Sequence, residues 1–201
     1  MATYELNRSA LAPSDWSLLP AINQRFFAGS DLLPQRDLIG GSRYILRLTY
    51  DHRSGAIRDE LENIFEAASV PGDDVRVHFS TLGHKLDKVP VVHASTKANA
   101  GTRMMKVRVS NNPIVKGTLF SRADRIYKCR NNVAVNTGGL DMTIGWPLRA
   151  PINANSILEF NNPTARFVVI RDPPVFPRRL VNAEGKRILG GPIVVELMEL
   201  M

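Results

Sequence analysis

The sequence predicts a mainly β protein with one packed helix, an α+β chain, and three observations carry that expectation. Residues 43–80 read as strand, helix, strand. Beyond Lys85 the chain divides into short apolar segments separated by turn residues. The composition, 44% hydrophobic and 22% charged over 201 residues, is that of a folded globular chain. A chain of this length buries roughly 70% of its unfolded surface and needs no disulfide staples. The same numbers exclude a disordered tail, a collagen-like rod and a coiled-coil rod.

The first forty residues hold Pro13, Pro20 and Pro34 with little periodicity, and they predict an irregular arm that packs on another surface. Gly40 and Gly41 end it. From Arg43 to Tyr50, Tyr44, Leu46, Leu48 and Tyr50 alternate with polar residues, as in a half-buried strand. The period then changes: Ile57, Leu61, Ile64, Phe65 and Ala68 share one face of a helix that Ser54 caps and Pro71-Gly72 stops. A second strand follows, with Val75, Val77 and Phe79 inward and Arg76, His78 and Ser80 outward.

The remaining strands are expected at 89–93, 104–109, 114–120, 125–129, 140–144, 156–160, 166–170 and 193–200. Turns at Asn111-Asn112-Pro113, Asn131-Asn132, Gly138-Gly139, Asn161-Asn162-Pro163 and Gly190-Gly191-Pro192 separate them. Short strands at this spacing predict a sandwich or barrel. Residues 172–187 are too proline-rich and polar for core and predict a long excursion or hairpin tip. The expected division is an arm (1–40), the strand–helix–strand part of the main β-domain (41–100) and a small β-rich domain (101–172). A proline-rich excursion with a C-terminal strand returning to the main domain (173–201) completes it.

No apolar run approaches the roughly 18–20 residues that span a bilayer, and residues 1–16 lack the basic lead and apolar core of a signal peptide. The expectation is a protein without membrane contact, made and used without secretion. Cys129 is the single cysteine, which excludes an internal disulfide and a Cys-rich zinc site. Its strand position predicts a small core residue, although Lys128 and Arg130 would lower its pKa if it were exposed. His52, His78, His84 and His93 lack the spacing of a zinc peptidase. Of these, His78 and His84 flank the turn at Leu82-Gly83 and could meet across a hairpin. Asp73-Asp74 reads as a turn between helix and strand. No nucleophile elbow, phosphate loop, dinucleotide fingerprint or paired-acid constellation occurs, so no catalytic residue, metal ligand or cofactor is expected.

The net charge is +7, and its placement says more than its size. Residues 1–100 carry 11 Lys+Arg against 12 Asp+Glu, and residues 101–201 carry 15 against 7. Between 103 and 130, Arg103, Lys106, Arg108, Lys116, Arg122, Arg125, Lys128 and Arg130 face one acid, Asp124, so this stretch equals the whole excess. Some surface built from this stretch is expected to meet negative charge, or at least to tolerate being basic. A nucleic-acid reading would stack bases on Phe120 and Tyr127, but the chain has only 7% aromatic residues and strand alternation turns Tyr127 toward the core. Docking on an acidic protein surface is the favoured use, and the eight cations form the candidate interface.

The order of several short motifs resembles a known family. PIVKGTLF at 113–120 is followed by RIYK at 125–128, LDMTIGWPLR at 140–149, SILEF at 156–160 and ARFV at 165–168. Upstream stand GGSRYILRLTY at 40–50, a helix, and a strand after Pro71-Gly72. Covering about half the chain, this layout is similar to the distal tail, or baseplate hub-adaptor, proteins of tailed bacteriophages. The acid that commonly follows the family's lysine-glycine step is Thr118 here, and no large sugar-binding insertion is present.

The resemblance implies a tail-tube-like β-sandwich or barrel with a packed helix and a smaller β-domain. It implies a non-enzymatic virion protein, assembled in the host cytoplasm as a ring, usually of six copies. Its partners would be itself, the tail tube protein, and hub or baseplate proteins, with DNA passing the channel unbound. A tail terminator or head-to-tail connector ring is the alternative among structural proteins, and a small nucleic-acid-binding β-barrel is the alternative from another class.

Overall fold

The computed structural model describes residues 2–21, 24–28, 34–38, 43–51, 55–170, 180–181, 187–188 and 192–200. In chain order the strands are β1 (Thr3–Leu6), β2 (Asp15–Ala21), β3 (Gln24–Ala28), β4 (Pro34–Leu38) and β5 (Arg43–Tyr50). Helix α1 (Gly55–Ala68) follows, then β6 (Asp74–His78), β7 (Val91–Ala94), β8 (Met104–Ser110), β9 (Leu119–Arg122) and β10 (Arg125–Lys128). The rest are β11 (Asn136–Thr143), β12 (Ile157–Leu158), β13 (Thr164–Val169), β14 (Leu180–Val181), β15 (Arg187–Ile188) and β16 (Ile193–Glu199). The fold class is the mainly β, single-helix one expected, and no sheet closes into a barrel among the described residues.

Six strands form the larger sheet in the order β1-β6-β13-β16-β5-β2. The alternation read at 43–50 holds residue by residue: Tyr44, Leu46, Leu48 and Tyr50 are buried, and the residues between them are not. Helix α1 lays Leu61, Phe65 and Ala68 on that inner face beside Val75, Val77 and Phe167. Tyr50 meets Phe65 edge to face at 6.1 Å. Each such side chain contributes about 1.5–3 kcal/mol on burial. Past the helix, Gly72 turns the chain with φ +98. The expected Ser54 cap lies outside the described residues.

The irregular arm expected at 1–40 is corrected by the structure. Residues 3–6 pair in parallel with β6 and residues 15–21 pair antiparallel with β5, so both are edge strands of the main sheet. Pro20 is tolerated in β2 because an edge strand has one side free of the ladder. Two further corrections come from turns. Gly138 and Gly139 lie inside β11, where the register with β8 shifts between Asn136 and Leu140 as in a bulge. The strand expected at 114–120 is regular only over Leu119–Arg122, with Ile114 bridging Val133.

Hairpin β9–β10 divides the interior. Leu119 and Ile126 belong to the core under the six-stranded sheet. Phe120 and Tyr127 belong to a second core, closed by the four-stranded sheet β11-β8-β7-β12 through Val92, Val107, Val109 and Leu158. The tip of this hairpin continues the larger sheet where β16 ends: Arg166 N donates to Asp124 O, while Leu200 N donates to Arg166 O. Strands β3 and β4 pair with each other between β2 and β5, and β14 and β15 do so between β13 and β16.

Candidate functional site

The eight cations emerge from three local geometries. Along β8 the pleat buries Met105, Val107 and Val109, so Lys106 and Arg108 point to the opposite face, with Arg103 one residue before the strand. Across the β9–β10 tip, Arg122 stands opposite Arg125. Lys128 and Arg130 flank buried Cys129, and Lys116 N donates to Asn132 Oδ1 at 2.7 Å. Arg103, Lys106, Lys116, Arg122, Lys128 and Arg130 are exposed, and Arg108 and Arg125 are half-buried.

The structure gathers five of these residues into two neighbourhoods. Arg108 donates to Asn155 Oδ1, and Arg122 Nη2 donates to the adjoining Ser156 Oγ at 3.5 Å, so both flank one turn. Arg103, Lys128 and Arg130 meet around the end of β11: Ile144 N donates to Arg103 O, Gly145 N to Lys128 O and Arg130 N to Thr143 O. Lys106 lies opposite Asp141 in the register of β8 and β11. Among the described residues none of the eight forms an ion pair. Asp124, the one acid in their segment, is turned away from them. It accepts from Arg76 Nη2 at 2.7 Å and from Thr164 Oγ1 at 3.1 Å.

Groups that would serve other chemistries are engaged or enclosed. Phe120 is stacked on Tyr127 at 5.4 Å and on Phe160 at 5.1 Å, both rings being buried, so neither offers a face to a base. Cys129 is fully buried, and burial pushes its thiol up to about 12. His78 and His84 do not pair: His78 Nε2 donates to Glu5 Oε2 at 2.6 Å and its Nδ1 accepts from Asn162 Nδ2 at 3.0 Å. His52 lies outside the described residues. No group of three or more metal-ligating side chains occurs among the described residues. Asp74 is not the turn acid expected; it opens β6, fully buried, in an ion pair with Arg166.

An open cleft of about 350 Å³ lies between the hairpin tip and the start of β13, bounded by Arg122, Asp124, Glu159 and Thr164. Its two carboxylates are already satisfied, Glu159 Oε1 accepting from Asn161 N and Asn162 N at 2.8 and 2.9 Å.

Sequence reasoning missed the most enclosed ionic site. Glu199, fully buried, accepts from Tyr44 N at 3.2 Å and from Ile126 N at 3.0 Å, and it forms an ion pair with Arg149. Arg149 Nη2 donates to Ile126 O at 2.8 Å, and the guanidinium lies 5.1 Å from the Tyr127 ring centroid. The site joins β5, β10, β16 and the segment after β11 across the boundary of the two cores. Its signal was present in the alternation of β16, where Val195, Leu197 and Glu199 share the inward face. Nothing in the spacing of Arg149 named it as the partner.

Neither the known protein-family models nor the curated protein sequences include a match to this chain. Among the described residues no helix is long and apolar enough to cross a membrane.

Proposed function

We propose that this chain is a structural protein of a bacteriophage tail, a ring-forming subunit at the distal end of the tail tube that connects it to the hub, baseplate or receptor-binding apparatus. The observation that carries the reading is the basic surface without internal ion pairs: eight cations, six of them exposed, with no ion-pair partner among the described residues. A surface of this kind is soluble alone and complementary to an acidic neighbour. The motif order from 113 to 168 and the strand–helix–strand unit at 43–80 support the family. Hairpins β3–β4 and β14–β15 leave the six-stranded sheet at opposite ends, one before β5 and one before its antiparallel neighbour β16. Two such projections suit a head-to-tail contact, in which each subunit offers different surfaces to its two neighbours.

Sedimentation and negative-stain imaging of the purified protein test this. The expected result is a closed ring, usually of six copies, that dissociates as salt rises from about 0.1 to 1 M and the Debye length falls from about 10 to 3 Å. A strict monomer under all these conditions would refute it. A tail terminator or head-to-tail connector uses the same ring, and immunogold labelling of virions separates them by position. In the nucleic-acid reading the same cations bind single-stranded DNA with a steep salt slope, which filter binding measures.

A further inference from the structure

We propose that the outer face of the four-stranded sheet docks against helix α1 of a second copy of this chain. The inference rests on the assembly reading above and names the two surfaces that meet.

The first surface follows from strand registers. On β8 the outward residues are Met104, Lys106 and Arg108, and His93 of β7 lies opposite both Arg108 and Ile157 of β12. Met104, Ile157 and Val91 on this face are 56%, 58% and 42% exposed. Exposed apolar side chains that include a methionine, set beside an arginine, are the make-up of a protein-binding surface.

The occupant follows from charge. Of the eight cations of segment 103–130, Lys106 and Arg108 stand on this face, with Asp141 of β11 opposite Lys106, so the face itself is net positive. Segment 51–74 carries seven acids against Arg53 and Arg58, net −5. The two do not neutralise each other within the subunit. The described bridges of the acidic segment run from Arg8 to Glu60, Arg58 to Asp59 and Arg166 to Asp74, and none reaches the basic segment. Topology keeps them apart, since α1 covers the core of the six-stranded sheet and the basic face encloses the other core. On α1, Asp59 and Glu66 are exposed, and just beyond it Val70 is 54% exposed, matching the mixed character of the opposing face. Complementary patches on different surfaces of one subunit make a heterologous contact, which repeats around a ring.

Two variants test the contact. Lys106→Glu/Arg108→Glu makes the sheet face acidic, and Asp59→Lys/Glu66→Lys makes the helix basic. Each alone sets like charges against each other, and sedimentation at about 50 mM salt is expected to show self-association weakened about ten- to a hundredfold. Mixed in equal amounts, the variants regain assembly, because in an alternating ring the acidic face meets the basic helix at one contact and the original basic face meets the original acidic helix at the next. That recovery also shows that both variants are folded. If both variants assemble as the wild type does, or the mixture stays as weak as its parts, the docking is overturned while the ring reading stands. If the sheet-face variant loses binding to a single-stranded oligonucleotide and keeps self-association, the face belongs to nucleic acid and the docking is overturned. A wild-type chain that stays monomeric to about 1 mM overturns both readings.

Discussion

Arg149→Met removes the cation paired with fully buried Glu199. The carboxylate then keeps only the Tyr44 and Ile126 N–H donors, at 3.2 and 3.0 Å, and the Ile126 carbonyl loses its donor at 2.8 Å. Breaking a buried pair by removing one partner costs about 3–5 kcal/mol, because the surviving charge is uncompensated. Set against a typical total of about 5–15 kcal/mol, that is a large fraction of stability. For a chain of this size each kcal/mol moves Tm by about 2–4 °C, so a fall of about 6–20 °C is expected. Burial pushes the Glu199 carboxyl upward, and Arg149 with the Ile126 and Tyr44 N–H groups pulls it back. Without Arg149 it rises further. A carboxyl whose folded pKa is raised favours the native state below its unfolded pKa and loses that contribution as pH climbs through the folded value. The penalty therefore grows with pH. Urea titrations of wild type, Arg149→Met, Glu199→Gln and the double variant at several pH values measure it, with a coupling of about 2 kcal/mol expected. A loss under about 1 kcal/mol that is additive with Glu199→Gln and flat with pH would show that the pair is not the tie described.

Burial holds His84 below its ordinary value, opposed by a backbone hydrogen bond at Leu119, and its Nε2 has no hydrogen-bond partner among the described residues. The unfolded ring titrates at about 6.5, so stability present above that pH is lost as pH falls through the lower folded value. The expected readout is an acid-side decline in Tm that His84→Gln flattens; an unchanged decline would assign it to other groups. Gly139 has φ +95, and a Cβ there would stand 2.7 Å from Ser95 Oγ, whereas Gly117 has the same φ with open space around it. Both alanine variants bear the left-handed penalty of about 1–2 kcal/mol, and Gly139→Ala loses more. Equal losses in chemical denaturation would mean that Ser95 swings aside.

What the sequence disclosed was local. Residues 43–80 were legible because two periods, 2 and then 3.6, repeat over enough residues to be unmistakable, and the buried set Tyr44, Leu46, Leu48, Leu61 and Phe65 follows from them. Strands β1 and β2 were not: one has four residues, and the other carries Pro20, so their pairing is decided by the sheet they join. Phe120 and Leu119 enter different cores, which needs a strand buried on both sides and leaves no alternation to read. The basic segment was legible as composition, but its split into two neighbourhoods depends on Asn155, Ser156 and the end of β11, all distant in sequence. Arg149 and Glu199 are 50 residues apart, and only the tertiary fold brings them together.

The strand order also sets when the molecule can fold during its synthesis. β5 lies between β2 and β16, and Ile193 of β16, which pairs with Tyr50, is 143 residues further along the chain. At about 5–20 residues per second, a ribosome needs about 7–30 s to supply it. Through that interval the nascent chain presents one edge of β5 and much of the apolar face beneath α1 without their final partners. Such an unpaired edge is a template for pairing with other chains until β16 covers it. A product cut short by premature termination, lacking β16 and Glu199, cannot complete the sheet.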